Sequence, residues 1–436
     1  MLFSDISYVD ENFQIQDHAY IGVRGSRITY IGAVPPPEAA SYGRVFPGKN
    51  RLLLNGFFNA HGHTPMSLLR GYAESMVLDD WLHKKIFPFE DCLQPQDVYW
   101  ATLLGCGEML RFGIVSVTDM YMKGESMGRG FRDGGVKANF CIGASNFADD
   151  AYPDMRQYRE TLAVREQFHG LDEGRLQVDW SMHAEYTSHE KMVRSLAQTA
   201  AQYPDMRMHT HVSETAAEVE GCKQRRQGRT PVQYLADCGI FDIPCTAAHC
   251  VHVTDQDIEL LAEKRVSVAS CPRSNLKLAS GAAPAAGLLQ AGVNLALGTD
   301  SVSSNNNLNM LEELRTFALL HKGVSGDPTL ITPAQALAAA TVNGALSQGR
   351  EDCGLIKVGN RADIIVLNTN LPHMKPVHNQ LNNLVYAADG GDVFLTMVDG
   401  KIAYENNDWP HLDMEKIYAE TEKSRQRILK EVAERR

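Results

Sequence analysis

Eight short apolar runs along residues 52–298, most of them separated by stretches of helical texture, constrain this chain more than any other feature. They lie at 52–58, 114–118, 138–142, 176–182, 206–212, 245–249, 266–270 and 293–298. Runs of this length, bounded by turn residues, suit strands buried on both faces. Helical patterns occupy many of the intervals, as at 99–111, 191–202, 255–264 and 308–321. Parallel strands need a long crossover, so strands alternating with helices predict a parallel sheet. Eight such units predict an α/β fold of the (β/α)8 TIM-barrel type, which needs about 250 residues and would fill 56–352.

The two ends have a different texture. Residues 1–55 alternate apolar and polar positions in short pieces such as Ala19-Tyr20-Ile21-Gly22-Val23, broken by Gly25-Ser26 and Pro35-Pro36-Pro37. The same pattern returns over 353–405, in Asp363-Ile364-Ile365-Val366-Leu367 and Val393-Phe394-Leu395-Thr396-Met397-Val398. Both read as antiparallel β-structure, and together they predict one small β-sandwich domain built from the two ends. Residues 406–436 form a C-terminal extension whose spacing of Ile417, Ile428, Leu429 and Val432 predicts an amphipathic helix against the barrel or a partner subunit.

A formal charge of −11 over 436 residues, with no basic run, argues against nucleic acid as a partner. No segment reaches the roughly 18 uninterrupted apolar residues of a membrane span, and Met1-Leu2-Phe3-Ser4-Asp5-Ile6 lacks the basic start of a secretion signal. Nine scattered cysteines suit a reducing compartment, so the expected location is cytoplasmic. Cys245 and Cys250 lack the Cys-x-x-Cys spacing of one class of zinc deaminases and exclude it.

Catalytic groups of a parallel barrel gather where its strands end. His61 and His63 follow the first run, His183 the fourth, His211 and Glu214 the fifth, His249 the sixth and Asp300 the eighth. Three imidazoles and a carboxylate suit one divalent metal, Zn²⁺ or Fe²⁺, with a position left for a water of lowered pKa. The fourth run carries no lysine, so a single metal is expected rather than a carbamate-bridged pair. His209 and His211 share a strand face, and spacing alone leaves both open as ligands.

The chain resembles the amidohydrolase superfamily, and within it the methylthioadenosine/S-adenosylhomocysteine deaminases and other adenosine-type deaminases. The resemblance spans nearly the whole sequence. It rests on Gly56-Phe57-Phe58-Asn59-Ala60-His61-Gly62-His63-Thr64-Pro65-Met66, Leu68-Leu69-Arg70-Gly71, Asp80-Trp81-Leu82, His211-Val212-Ser213-Glu214-Thr215, Ala248-His249-Cys250-Val251-His252, Ser274-Asn275-Leu276-Lys277-Leu278-Ala279-Ser280-Gly281 and Leu297-Gly298-Thr299-Asp300-Ser301. By position, the resemblance implies metal ligands His61, His63, His211 and Asp300, with His209 structural. It implies Glu214 as proton shuttle, and Asp300 and His249 facing the attacking water. Substrate contacts implied in the same way are His183, Glu90 for the ribose hydroxyls, and Trp81 beside the nucleoside. A homo-oligomer is also implied.

Relatives that handle S-adenosylhomocysteine resemble one another in carrying arginines in and after the third strand, whereas this chain reads Cys141-Ile142-Gly143-Ala144-Ser145-Asn146-Phe147-Ala148-Asp149-Asp150. The expected substrate is therefore adenosine, 5′-deoxyadenosine or methylthioadenosine ahead of S-adenosylhomocysteine, hydrolysed at the amino-bearing ring carbon to the inosine-type product and ammonia. The alternatives are another N-heterocycle such as guanine or an s-triazine, and a catalytically silent assembly protein.

Overall fold

The structure is a computed structural model that describes residues 1–435, the side chains of residues 78 and 79 excepted; Arg436, the end of the expected C-terminal helical extension, lies outside the described residues. The apolar runs are strands in two parallel sheets. Phe57–Gly62, Ile114–Tyr121, Lys137–Ile142 and Leu176–Val178 form one, in that order. Trp180–Met182, Met208–Val212, Cys245–His249, Ser267–Ser270 and Leu295–Leu297 form the other. Parallel bridges from Ala144 to Met182 and from Gly62 to Asp300 connect the two sheets.

Two expected strands are each broken, by contacts with residues distant in sequence. The run 52–58 divides into Arg51–Asn55 and Phe57–Gly62 at Gly56, where a Cβ would stand 2.3 Å from a methyl of Val115. Only a residue without a side chain lets the chain pass from one sheet to the next at that point. The run 176–182 divides at Asp179, whose buried carboxylate accepts from the Asn139 amide at 2.9 Å and the Arg207 backbone N–H at 3.0 Å. The Ala-rich stretch 333–347 forms two helices, Pro333–Ala340 and Val342–Ser347, parted by the non-helical Thr341.

The chain ends do pair. Ile364–Asn368 runs antiparallel to Arg51–Asn55 with Ile365 opposite Leu54, inside an eight-stranded sheet that also contains Leu2–Val9, Ile15–Arg24, Arg27–Gly32, Val45–Pro47, Val393–Val398 and Lys401–Glu405. It is mixed rather than purely antiparallel, because Leu2–Val9 lies parallel to both Val45–Pro47 and Arg51–Asn55. Successive residues point to opposite faces. Leu52, Leu54, Ile365 and Leu367 accordingly enter the main core, while Leu53, Ile364 and Val366 join Phe3, Ile21 and Leu395 in a second one. Burial on both faces explains why these strands read as continuous apolar runs.

The C-terminal helix, Met414–Glu434, packs on Pro95–Arg111, and Arg427 ties it down through Asp97 and the Cys92 carbonyl. Among the described residues no helix is long and apolar enough to cross a membrane.

Candidate metal centre and active site

The parallel strands end in sharp turns. Ser213, His249 and Asp300 take φ values of 52°, 72° and 55°, a region costly for non-glycine residues and found where surrounding structure enforces it. These turns send polar side chains from different strands toward one point. Gly298 permits the closest approach: a Cβ there would meet the His61 Cβ at 2.8 Å, and the Asp300 N–H donates to the His61 carbonyl at 3.0 Å.

Of the expected ligands, His61 and His63 each bring Nε2 to 3.3 Å from Asp300 Oδ1, and the Nε2 atoms of His211 and His63 stand 3.2 Å apart. The His63 Nδ1–H donates to the Met120 carbonyl at 2.6 Å, and the His211 Nδ1–H donates to the His183 carbonyl at 2.7 Å. A carbonyl can only accept, so each ring carries a proton on Nδ1, and in the neutral rings the two Nε2 lone pairs face each other across a buried gap. His61 Nε2 is buried without a hydrogen-bond partner. Ligand atoms of His61, His63 and His211 all fall within 4.8 Å of one another. Converging lone pairs beside a carboxylate are the donor chemistry of a divalent cation site, and the residues fit Zn²⁺. Ligand atoms of His61, His249 and Cys271 also cluster within 4.8 Å.

The electrostatics ask for positive charge at the same point. Burial pushes the Asp300 carboxyl up, but the contacts with His61 and His63 outweigh it and hold it well below the usual range. Burial drives His61 down to about 3, while at His63 burial is overcome by Asp300, which holds it up at about 9.

Asp300 is clamped from behind. Its Oδ2 accepts from Ser274 Oγ at 2.5 Å and from Ser304 Oγ at 2.8 Å, leaving Oδ1 to face the imidazoles. His249 is oriented by Asn275, whose Oδ1 lies 2.9 Å from Nδ1, so that Nε2 points inward to 3.9 Å from Glu214 Oε2. Burial pushes the Glu214 carboxyl up, with His249 opposing and Asp300 adding to it. Glu218 reaches back from the helix Ala216–Arg225 to accept the Ser213 and Glu214 N–H groups at 2.9 and 2.7 Å, which fixes the strained turn carrying Glu214. Burial, with Glu214 next, pushes Glu218 up to about 7. Sequence reasoning missed Ser274, Asn275, Ser304 and Glu218 as positioning groups. Only the four-residue step from Glu214 to Glu218 on a helix start offered a local signal.

The expected substrate groups are partly gathered. The His183 ring lies 4.9 Å from that of His211 and its Nδ1 is 3.1 Å from Thr187 Oγ1; burial, then the His63 charge, lowers it to about 4. Glu90 accepts the Tyr121 hydroxyl at 2.7 Å, and burial pushes its carboxyl up to about 7 against that bond and the His63 charge. Trp81 is buried in the main core, and none of the described contacts joins it to the imidazoles. His209 lies behind the cluster, with Nε2 2.8 Å from His61 Nδ1.

Comparison with known proteins places this geometry. The amidohydrolase family model matches residues 52–403. A 5-methylthioadenosine/S-adenosylhomocysteine deaminase of Pelotomaculum thermopropionicum is 40% identical over 410 residues, 94% of each chain. An adenosine deaminase from Xanthomonas campestris, solved with bound zinc, superposes with a TM-score of 0.91 at 30% identity over 98% of each chain. At 22% identity the atrazine chlorohydrolase of Arthrobacter aurescens TC1 shares the fold, with a TM-score of 0.90 over 97% of this chain and 99% of that one. Two parallel sheets that direct histidines and an aspartate to one point, with a match that runs from residue 52 to residue 403, establish the identity: this chain belongs to the amidohydrolase family.

Proposed function

We propose that the chain is a zinc-dependent aminohydrolase of adenosine-type nucleosides, with adenosine, 5′-deoxyadenosine and methylthioadenosine preferred to S-adenosylhomocysteine. The observation that carries this reading is the approach of the His63 and His211 Nε2 atoms to 3.2 Å beside Asp300, with both Nδ1–H groups turned away to carbonyls. The names of the relatives point to the substrate class. His61, His63, His211 and Asp300 would hold the ion, and its contribution when bound is to lower the pKa of a water to about 7.

The remaining work belongs to side chains. Asp300 Oδ1, with its partner oxygen fixed by two hydroxyls, is placed to accept a proton from the attacking water. Glu214, whose carboxyl burial pushes up, is placed to deliver a proton to the ring nitrogen next to the carbon under attack. His249 Nε2 faces the same space and stabilises charge developing there. Glu90 and Tyr121 offer an acceptor and a hydroxyl for the vicinal ribose diol, with His183 a further substrate contact and Trp81 packed near the nucleoside. The tail-binding preference rests on the loop 144–150, which carries Asp149 and Asp150 and no arginine.

We also propose that the two parallel sheets close as a (β/α)8 barrel over 56–352, that 1–55 and 353–405 form the β-sandwich domain, and that the chain is a cytoplasmic homo-oligomer. The two bridges between the parallel sheets support the barrel, the separate second core supports the sandwich, and nine buried free cysteines suit a reducing compartment. Sedimentation velocity decides the oligomeric state.

The test is ammonia release from zinc-loaded protein with adenosine, 5′-deoxyadenosine, methylthioadenosine, S-adenosylhomocysteine, guanine and melamine, with and without chelator. Chelator-sensitive turnover of the nucleosides is expected. Turnover confined to guanine or melamine would overturn the substrate assignment, and turnover that survives complete zinc removal would overturn the metal site.

A further inference from the structure

We infer that His209 is a positioning residue that decides whether His61 can bind the metal. This inference rests on the metal site proposed above. Three imidazoles converge on the site, and their rear nitrogens are held differently. Those of His63 and His211 face backbone carbonyls, which accept and cannot donate, so each of these rings, when neutral, has a single tautomer with Nε2 free. The rear nitrogen of His61 faces another imidazole, His209 Nε2, at 2.8 Å, with the ring planes inclined by only 27°. Either nitrogen of that pair can be the donor.

The two arrangements have opposite consequences. With the proton on His61 Nδ1, His209 Nε2 accepts it and the His61 Nε2 lone pair faces the site. With the proton on His209 Nε2, His61 Nδ1 accepts it, and His61 Nε2 carries its own hydrogen toward Asp300 Oδ1, 3.3 Å away. That second state occupies the coordination position with a proton.

Both states hold the same number of protons, one on each ring. His209 is 1% exposed, and its Nδ1 has no hydrogen-bond partner. In the open state this nitrogen is an N–H without an acceptor, and in the closed state it is a lone pair without a donor. Nothing around His209 therefore locks the pair from behind, as the carbonyls lock the other two rings. A bound cation selects the open state by taking the His61 lone pair, and His209 must then serve as the acceptor. Outer partners of this kind, when removed, typically cost about 10–100-fold in metal affinity.

The test compares His209→Gln with His209→Leu. The Gln side-chain amide reaches about as far from Cβ as the imidazole Nε2 and can present its oxygen to His61 Nδ1–H; leucine fills space and accepts nothing. Zinc affinity is read by competition with a chromophoric chelator, and folding by the melting temperature of the metal-free proteins. The expected result is Gln within about threefold of the parent and Leu weakened by about 10–100-fold at unchanged metal-free stability. A space-filling role predicts the reverse order, with leucine tolerated in the apolar interior and the amide penalised. Leu equal to the parent, or Gln and Leu weakened alike, overturns the inference.

Should the leucine variant fail to fold, the ¹⁵N imidazole spectrum of the zinc-loaded parent decides. Protons on Nδ1 of both His61 and His209 are expected, and a proton on His209 Nε2 overturns the inference. A parent protein that binds no zinc sinks the metal-site reading itself, whereas zinc bound equally by parent and Leu variant sinks the His209 inference alone.

Discussion

Removing the hydroxyls behind Asp300 tests whether the site depends on one fixed carboxylate oxygen. Ser274 and Ser304 are both buried and donate to the same atom, Oδ2, at 2.5 and 2.8 Å. A hydrogen bond to a charged group contributes about 1.5–3 kcal/mol, and about 1.4 kcal/mol corresponds to a factor of ten. Ser274→Ala or Ser304→Ala alone should therefore lower kcat/KM for adenosine by about tenfold, since the other hydroxyl still holds Oδ2. The double variant leaves a buried carboxylate oxygen with no donor and should lose about a thousandfold, exceeding the product of the singles by about tenfold, or about 1.4 kcal/mol. Loss of ultraviolet absorbance on deamination gives kcat/KM, and metal analysis of the same samples gives zinc occupancy. Single variants within twofold of the parent would refute the reasoning, and a strictly additive double variant would refute the shared-oxygen argument.

Other outcomes follow from the same geometry. Glu214→Gln should keep zinc and lose about 10²–10⁴-fold in kcat, because the amide cannot carry the transferred proton; metal content and single-turnover rates check it. Gly298→Ala should destabilise the fold by about 1–3 kcal/mol in urea titration and shed zinc, because its methyl would sit 2.8 Å from the His61 Cβ. Burial pushes the Glu90 carboxyl up from 4.5 to about 7, so it binds more protons folded than unfolded. Its contribution to stability is thus full below pH 4.5 and lost as pH rises through about 7. At about 1.4 kcal/mol per unit this amounts to at most about 3 kcal/mol, less the screening at a half-buried side chain. Melting temperature should fall across that window in the parent and fall less in Glu90→Gln; parallel curves would exclude Glu90 as the source.

Much of this architecture is legible in local pattern. Period-two and continuous apolar runs mark the strands, and polar residues just beyond them mark His61, His63, His211, His249 and Asp300, because the strand direction carries them to one end. What the pattern hides is decided by non-local contact. Gly56 interrupts a uniform apolar run because Val115 presses on it, and Asp179 interrupts another because Asn139 and Arg207 claim its oxygens. His209 and His211 share a face and differ only in depth, so which one meets a carbonyl and which one meets His61 depends on strands distant in sequence. The hydroxyl of Ser274 comes from the short helix Pro272–Lys277 and that of Ser304 from a turn, and they share one oxygen, a relation that no spacing rule encodes.

The pairing of Arg51–Asn55 with Ile364–Asn368 sets a timetable for biosynthesis. The strand that leads directly into His61 stays open along one edge until more than three hundred further residues have left the ribosome. Loop closure over that distance is slow, and an unpaired apolar edge invites wrong partners in the meantime. A nascent chain halted before residue 364 would lack the strand that seals this edge. Messages truncated there should yield protein that depends on chaperones and captures no zinc, although each of the four ligands has already been made.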